Sequence, residues 1–201
     1  MPDALPLTDL NPVAAAAVAR WTDPARRPLF KGSLVDSSGC MCAQGDILHH
    51  EAGFTMERLR SLPQVKADAE VAKLLGISTA HAILLRQVND NADGAPQTVL
   101  LPPGKDADGN LTGVAKVLGD QAHIVLAFWR HLDRMTGKDW AAARVAAWDA
   151  ARDAASHACA EIQGARLMRE RGQAFYFLPM FGFADPEAVL AADASHIAKA
   201  A

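Results

Sequence analysis

The densest run of reactive side chains is Asp36-Ser37-Ser38-Gly39-Cys40-Met41-Cys42-Ala43-Gln44-Gly45-Asp46, followed by His49 and His50. A thiol at the start of a helix has its thiolate favoured by the helix dipole, and a nearby imidazole can act as its base. Cys40 or Cys42 with His49 is therefore the catalytic set that a cysteine-dependent enzyme would use. The spacing resists it. On one straight helix His49 stands more than about 10 Å from either cysteine, so a dyad needs a bend at Gly45, or His81, His123 or His157 from elsewhere. Zinc sites favour two to four residues between paired cysteines, whereas only Met41 separates Cys40 from Cys42, so no metal centre is expected. Buried, inert cysteines beside a polar turn are the plainer alternative.

A second constellation is Val71–Val88, where a helix, Gly76 and a Ser78-capped helix carrying His81 reproduce the layout of a helix-turn-helix unit. The face that would read bases includes Ile83 and Leu84, where Arg, Asn, Gln or Lys should project. An ordinary helical hairpin in the core accounts for the same residues. Asn89-Asp90-Asn91-Ala92-Asp93-Gly94 imitates the first half of a calcium loop, but Leu100 stands where the bidentate Glu belongs and Pro96 intervenes. That segment reads as a turn. The aromatic run Phe175–Phe183, which includes Tyr176, locks a C-terminal segment onto the core or lines a ligand pocket.

The elements that must position these groups are mostly helical. Asn11-Pro12 opens a helix to Trp21, as a cap followed by proline at the first helical position. Thr22–Pro28 is a connector, Leu29–Gly39 a short strand or irregular turn, and Cys40–Glu51 a helix interrupted by the cost of Gly45. Thr55 caps a short helix ending before Pro63; Gln64–Leu75 and Ser78–Asn89 follow, stopped and separated by Gly76. Gln97–Leu101 is a strand candidate, Pro102–Asn110 a flexible loop, and Asp120–Met135 an amphipathic helix. Thr136 and Asp139 form a capping-box pair for the longest helix, 138–162, and Asp185-Pro186-Glu187 opens the last.

The long helix falls into tetrads: AARV, AAWD, AARD, AASH, ACAE. A four-residue period advances by about 40° per repeat, so the alanines make a stripe that winds slowly around the helix. Trp140, Arg144, Trp148 and Arg152 share one i,i+4 row, and Asp153 pairs with His157. The stripe is a surface for close helix packing or for self-association.

The 201 residues are enough for one compact domain, 1–201, with residues 1–28 as N-terminal helix and connector. The fold class is mainly α, with one long alanine-rich helix and at most a small two- or three-stranded β element. Half the residues are apolar, 21% are charged and the net charge is −3, an ordinary globular composition with no overall basic balance for nucleic acid. The N-terminal MPDALPLTDLNP has neither a basic n-region nor a long apolar run, so no signal peptide and no membrane span are expected. Three cysteines, Cys40, Cys42 and Cys159, read as free thiols of a cytoplasmic protein.

Taken together, KGSLVD, GCMCAQGD, AKLLGIS with His81 and Leu84-Leu85-Arg86, Asn89-Asp90, Asp93-Gly94-Ala95-Pro96, the tetrads, EIQGA and FLPMFGF resemble a family of alanine-rich proteins from phage and prophage genomes. The likeness spans roughly Leu29 to Asp185; the PPGKDADGN loop lies outside the family pattern. The resemblance implies a mobile-element origin and a role in phage–host interaction, and supplies no activity.

The expectation is therefore a non-enzymatic binding protein, homo-oligomeric through the alanine stripe, that binds and blocks a host factor or a signalling nucleotide and carries no cofactor. Its ligand would be held near Cys42, Gln44, Asp46, His49, His81, Arg86 and Tyr176. A cysteine-dependent enzyme and a helix-turn-helix DNA-binding regulator are the alternatives.

Overall fold

A computed structural model describes residues 10–91, 95–156 and 178–200 of the chain. The protein is mainly α-helical, with one small antiparallel pair of strands. It divides into two compact units, one running to Trp129 and one from Arg130 onward.

In the first unit, α1 (Pro12–Thr22) starts where Asn11 accepts from the Val13 and Ala14 amides, and Pro12 supplies a helical φ at a position whose N–H has no use. Its buried residues Ala14, Ala17 and Val18 lie at helical spacing. α2 (Ala43–Ala52) is different: Ala43 to Leu48 are all buried, polar Gln44 and Asp46 included. A stretch buried on every side has no polar face, and α2 packs against α1, α3 (Met56–Ser61), α4 (Gln64–Leu75) and α5 (Thr79–Asp90), leaving His50 and Ala52 at its end exposed. Thr55 caps α3, Ser78 caps α5, and Gly76 ends α4 in the left-handed conformation at φ 65°, as the sequence indicates.

Gly45 is required by space. A Cβ there would lie 1.9 Å from the Leu34 carbonyl oxygen, so the loop carrying Leu34 can pass over α2 only where the side chain is missing. The intrinsic helix cost of glycine is thereby offset by a close approach. Residues 29–35 form the irregular alternative rather than a strand: Gly32 has φ 91°, and an isolated bridge joins Val35 to Met41.

Gln97–Leu101 is not a strand. Pro96–Leu100 is a short helix, α6, with proline at its first position and Val99 and Leu100 buried. A short apolar run does not distinguish strand from helix by periodicity; Pro96 and packing on α1 and α5 decide it. The segment expected to be a flexible loop holds the β element: β1 (Gly104–Lys105) pairs with β2 (Leu111–Thr112). Asp106 closes the turn, its carboxylate accepting from the amides of Asp108 (3.0 Å) and Asn110 (2.9 Å). α7 (Ala115–Leu118) follows, and the division between units falls within α8 (Ala122–Arg134).

In the second unit, α9 (Gly137–Ser156) opens on the expected box: Asp139 accepts from the Thr136 amide at 2.8 Å, and the Asp139 amide donates to Thr136 Oγ1. Asp185 caps α10 (Pro186–Ala200), accepting from Ala188 N at 2.8 Å. Between them a 3₁₀ turn, Leu178–Phe181, packs on α9, with Phe181 edge-on to Trp140. Arg130 and Arg134 at the end of α8 both pair with buried Asp193 of α10. The tetrad residues 157–162, with His157 and Cys159, lie outside the described residues, as do Arg166, Arg169, Arg171 and Tyr176. No helix among the described residues is long and apolar enough to cross a membrane.

Candidate functional site

The cysteine-rich turn is built by a loop folded back on α2. Phe30 N donates to Met41 O, and Cys42 N donates to Leu34 O. The Asp36 carboxylate ties the turn by accepting from the Ser38 hydroxyl and the Cys40 amide, each at 2.8 Å. Cys42 is the N-cap of α2, its thiol accepting from the Gly45 amide at 3.4 Å. It is buried, and burial pushes the thiol up to about 11, outweighing the Gly45 and Gln44 amides. Cys40 is half-buried, with the Ser38 hydroxyl 3.4 Å from its sulfur.

His49 stands in the last turn of α2, the far end from Cys42, with Nδ1 2.7 Å from the Phe54 carbonyl. Since α2 runs unbroken through Gly45, the rise over seven residues separates Cys42 from His49 by about 10 Å. The structure therefore does not bring those two together. Among the described residues, no three His, Cys, Asp or Glu side chains are grouped so as to hold a metal ion.

The polar residues of α2 enter two separate networks. Gln44 donates to Asp68 Oδ1 (2.8 Å) and to the Ala82 carbonyl (3.0 Å), and accepts from Gln64 (2.6 Å). Arg86 grips the same Asp68 with Nε at 3.2 Å and Nη2 at 3.4 Å. Gln44 and Arg86 thus share Asp68: Gln44 joins α2 to the α4–α5 hairpin, and Arg86 ties α5 to α4 within it. His81 lies apart from them, donating from Nε2 to the Val99 carbonyl at 2.8 Å and so fixing α6 on α5. Asn89 accepts from the Ala43 amide and donates to Phe30 O, anchoring the start of α2 and the incoming loop together.

Asp46 faces the other way. It is fully buried; its Oδ2 accepts from Trp21 Nε1 (2.8 Å) and Arg20 Nε (3.2 Å), and its Oδ1 accepts from Arg26 Nη2. His50 Nε2 lies 3.4 Å from the same Oδ1, and Arg20 also pairs with Glu51 at 2.6 Å. A buried carboxylate is tolerated where this many donors replace its water. The donors exceed the need: Arg20 Nη2 and Arg26 Nη1 are buried without a hydrogen-bond partner.

Arg26 belongs to a groove that the sequence reading passes over as a connector. A cavity of about 420 Å³ is walled by Trp21, Pro24, Leu29 and Pro96 and carries Arg26, Arg27 and Lys31 against one acid, Asp23, among the described residues. A smaller recess of about 170 Å³ shares Arg26, Arg27 and Pro28 with the groove and is lined also by Gly39, Cys40 and Met41. None of the expected ligand residues Cys42, Gln44, Asp46, His49, His81 and Arg86 lines this place; Asp46 is connected to it only through Arg26, and the cysteine-rich turn borders it through Cys40. The signal was present in the sequence: Arg20, Trp21, Arg26, Arg27 and Lys31 fall within twelve residues of a chain whose net charge is −3. Prolines at 24 and 28 favour a connector reading and drew attention from the charges.

Comparison of the chain with protein-family models, with curated proteins and with solved structures gives no match.

Proposed function

We propose that the chain is a non-enzymatic binding protein of mobile-element origin, working in the host cytoplasm, that captures a small anionic ligand such as a signalling nucleotide. The carrying observation is the groove over residues 23–31. Its volume of about 420 Å³ lies in the range of small-molecule sites. It combines three cations with apolar and aromatic walls, the pairing that a ligand with a phosphate and a flat ring requires. Arg26, which lines the groove, also has an Nη1 without a hydrogen-bond partner, a donor that an oxyanion would satisfy once the side chain turned outward. Sequestering a nucleotide needs affinity and no chemistry, and the buried Cys42 thiol, pushed up to about 11, offers no ready nucleophile.

Self-association through α9 completes the reading. Ala142 is exposed and Val145 is 61% exposed, so the first tetrad offers small and apolar surface to a second copy. Native mass spectrometry on freshly purified protein, compared with the denatured mass, tests both parts. A mass excess matching a nucleotide and lost on denaturation is expected, on an integer multiple of the chain. A bare monomer whose melting temperature is also unmoved by millimolar nucleotides would refute the proposal.

A further inference from the structure

The two oxygens of Asp46 are not equivalent. Oδ2 is held from within the core by Trp21 and Arg20, whereas Oδ1 faces Arg26 and His50 together. Arg26 is the member that reaches outward, because it lines both the groove and the recess beside it. Its Nη1 is already buried without a partner. An anion arriving there meets a guanidinium that is only half used and is held by one shared carboxylate oxygen.

We infer that a doubly charged oxyanion, phosphate- or sulfate-like, draws Arg26 from Asp46 Oδ1 and that a proton taken up from solvent at His50 Nε2 replaces it there; this rests on the reading of the groove as an anion site. The step forms no covalent bond. A guanidinium–carboxylate contact is exchanged for a guanidinium–oxyanion contact, and imidazole becomes imidazolium. His50 is suited to the exchange, being partly exposed and one helical turn from Asp46 on α2. In the ligand-free fold burial holds its pKa below the ordinary value; Asp46 raises it, while Arg20, His49 and Arg26 lower it. The neighbouring Glu51 is paired with Arg20. Withdrawing Arg26 removes one of the opposing cations and leaves Asp46 bound to fewer donors, so both changes raise the proton affinity of His50.

Linkage then makes anion binding tighter as pH falls. The test uses inorganic sulfate, whose charge is constant across the neutral range, in calorimetric titrations of the full chain at pH 6 and pH 8. Wild type is expected to bind several-fold tighter at pH 6, up to about tenfold for a one-unit rise in the His50 pKa. Its binding heat should vary with the buffer's ionisation enthalpy in the sense of proton uptake. His50→Gln should still bind sulfate, with pH-independent affinity and no buffer-dependent heat. Unchanged pH dependence in His50→Gln overturns the inference, as does wild-type binding without proton uptake, a result that needs no variant. Absence of sulfate binding at either pH would remove the anion site itself, and the inference with it.

Discussion

At the residue scale, burial separates two cysteines that the sequence sets side by side. Cys42 combines a helix N-terminus, which favours thiolate, with desolvation, which opposes it, and desolvation wins by enough to push the thiol up to about 11. At pH 8 Cys42 should therefore resist iodoacetamide in the folded protein and label only on unfolding, while half-buried Cys40 labels first. Peptide mapping of the alkylated protein checks this, and fast labelling of Cys42 in the native state would contradict it. Gln44 poses a different problem, because its amide links Asp68, Gln64 and the Ala82 carbonyl in the interior. Gln44→Leu preserves bulk and leaves Asp68 and Gln64 short of a partner, so a loss of about 1–3 kcal/mol is expected in urea unfolding.

At the scale of elements, the fold depends on one place where the backbone must come close and one where charge ties two helices. Gly45→Ala forces a methyl against the Leu34 carbonyl, which would stand 1.9 Å away, in spite of alanine's better helix propensity. The overpacking cost of about 1–3 kcal/mol exceeds the propensity gain of about 1 kcal/mol, so the variant should unfold at lower denaturant. In the second unit Asp193 receives Arg130 Nη2 at 2.5 Å and Arg134 Nη1 at 3.0 Å. Burial raises its pKa, but the two arginines outweigh burial and hold the carboxyl below its ordinary value. A depressed folded-state pKa means stability that is present above about pH 4 and drains away as pH falls through the folded value. Asp193→Asn should lower stability at pH 7 by about 2 kcal/mol, discounted for the partly exposed arginines. The gap from wild type should narrow towards pH 2; a constant gap in acid titrations followed by circular dichroism would refute the assignment.

At the scale of the whole molecule, the net charge of −3 conceals a local basic groove. Net charge governs solubility and long-range steering, while a site depends on charges within roughly a Debye length. The exposed cations Arg27 and Lys31 are the ones to remove, since Arg26 also serves Asp46 in the core. The double variant Arg27→Ala/Lys31→Ala should weaken anion binding by roughly tenfold while leaving the melting temperature nearly unchanged, because exposed charges add little stability. Equal binding by wild type and the double variant would move the ligand elsewhere.

Local signals determined most of the helical framework. The caps at Asn11, Thr55, Ser78, Thr136 and Asp185 and the stop at Gly76 act over a few residues, so their positions are written in the chain directly. The conformation of 96–100 was not legible in this way, because a short apolar run takes its form from what it packs against. The use of the polar residues of α2 was equally hidden. Gln44 and Asp46 are two positions apart, and their opposite directions follow from helical geometry, but their partners, Asp68 and Gln64 on one side and Arg20 and Arg26 on the other, come from distant turns of the chain. The groove belongs to the same class. Its cations lie within six residues of one another in sequence, 26 to 31, yet their convergence on one cavity depends on where α1, the cysteine-rich turn and α6 come to rest. Sequence alone sets which residues can make local hydrogen bonds; only tertiary packing decides which charges share a cavity and which thiol loses its water.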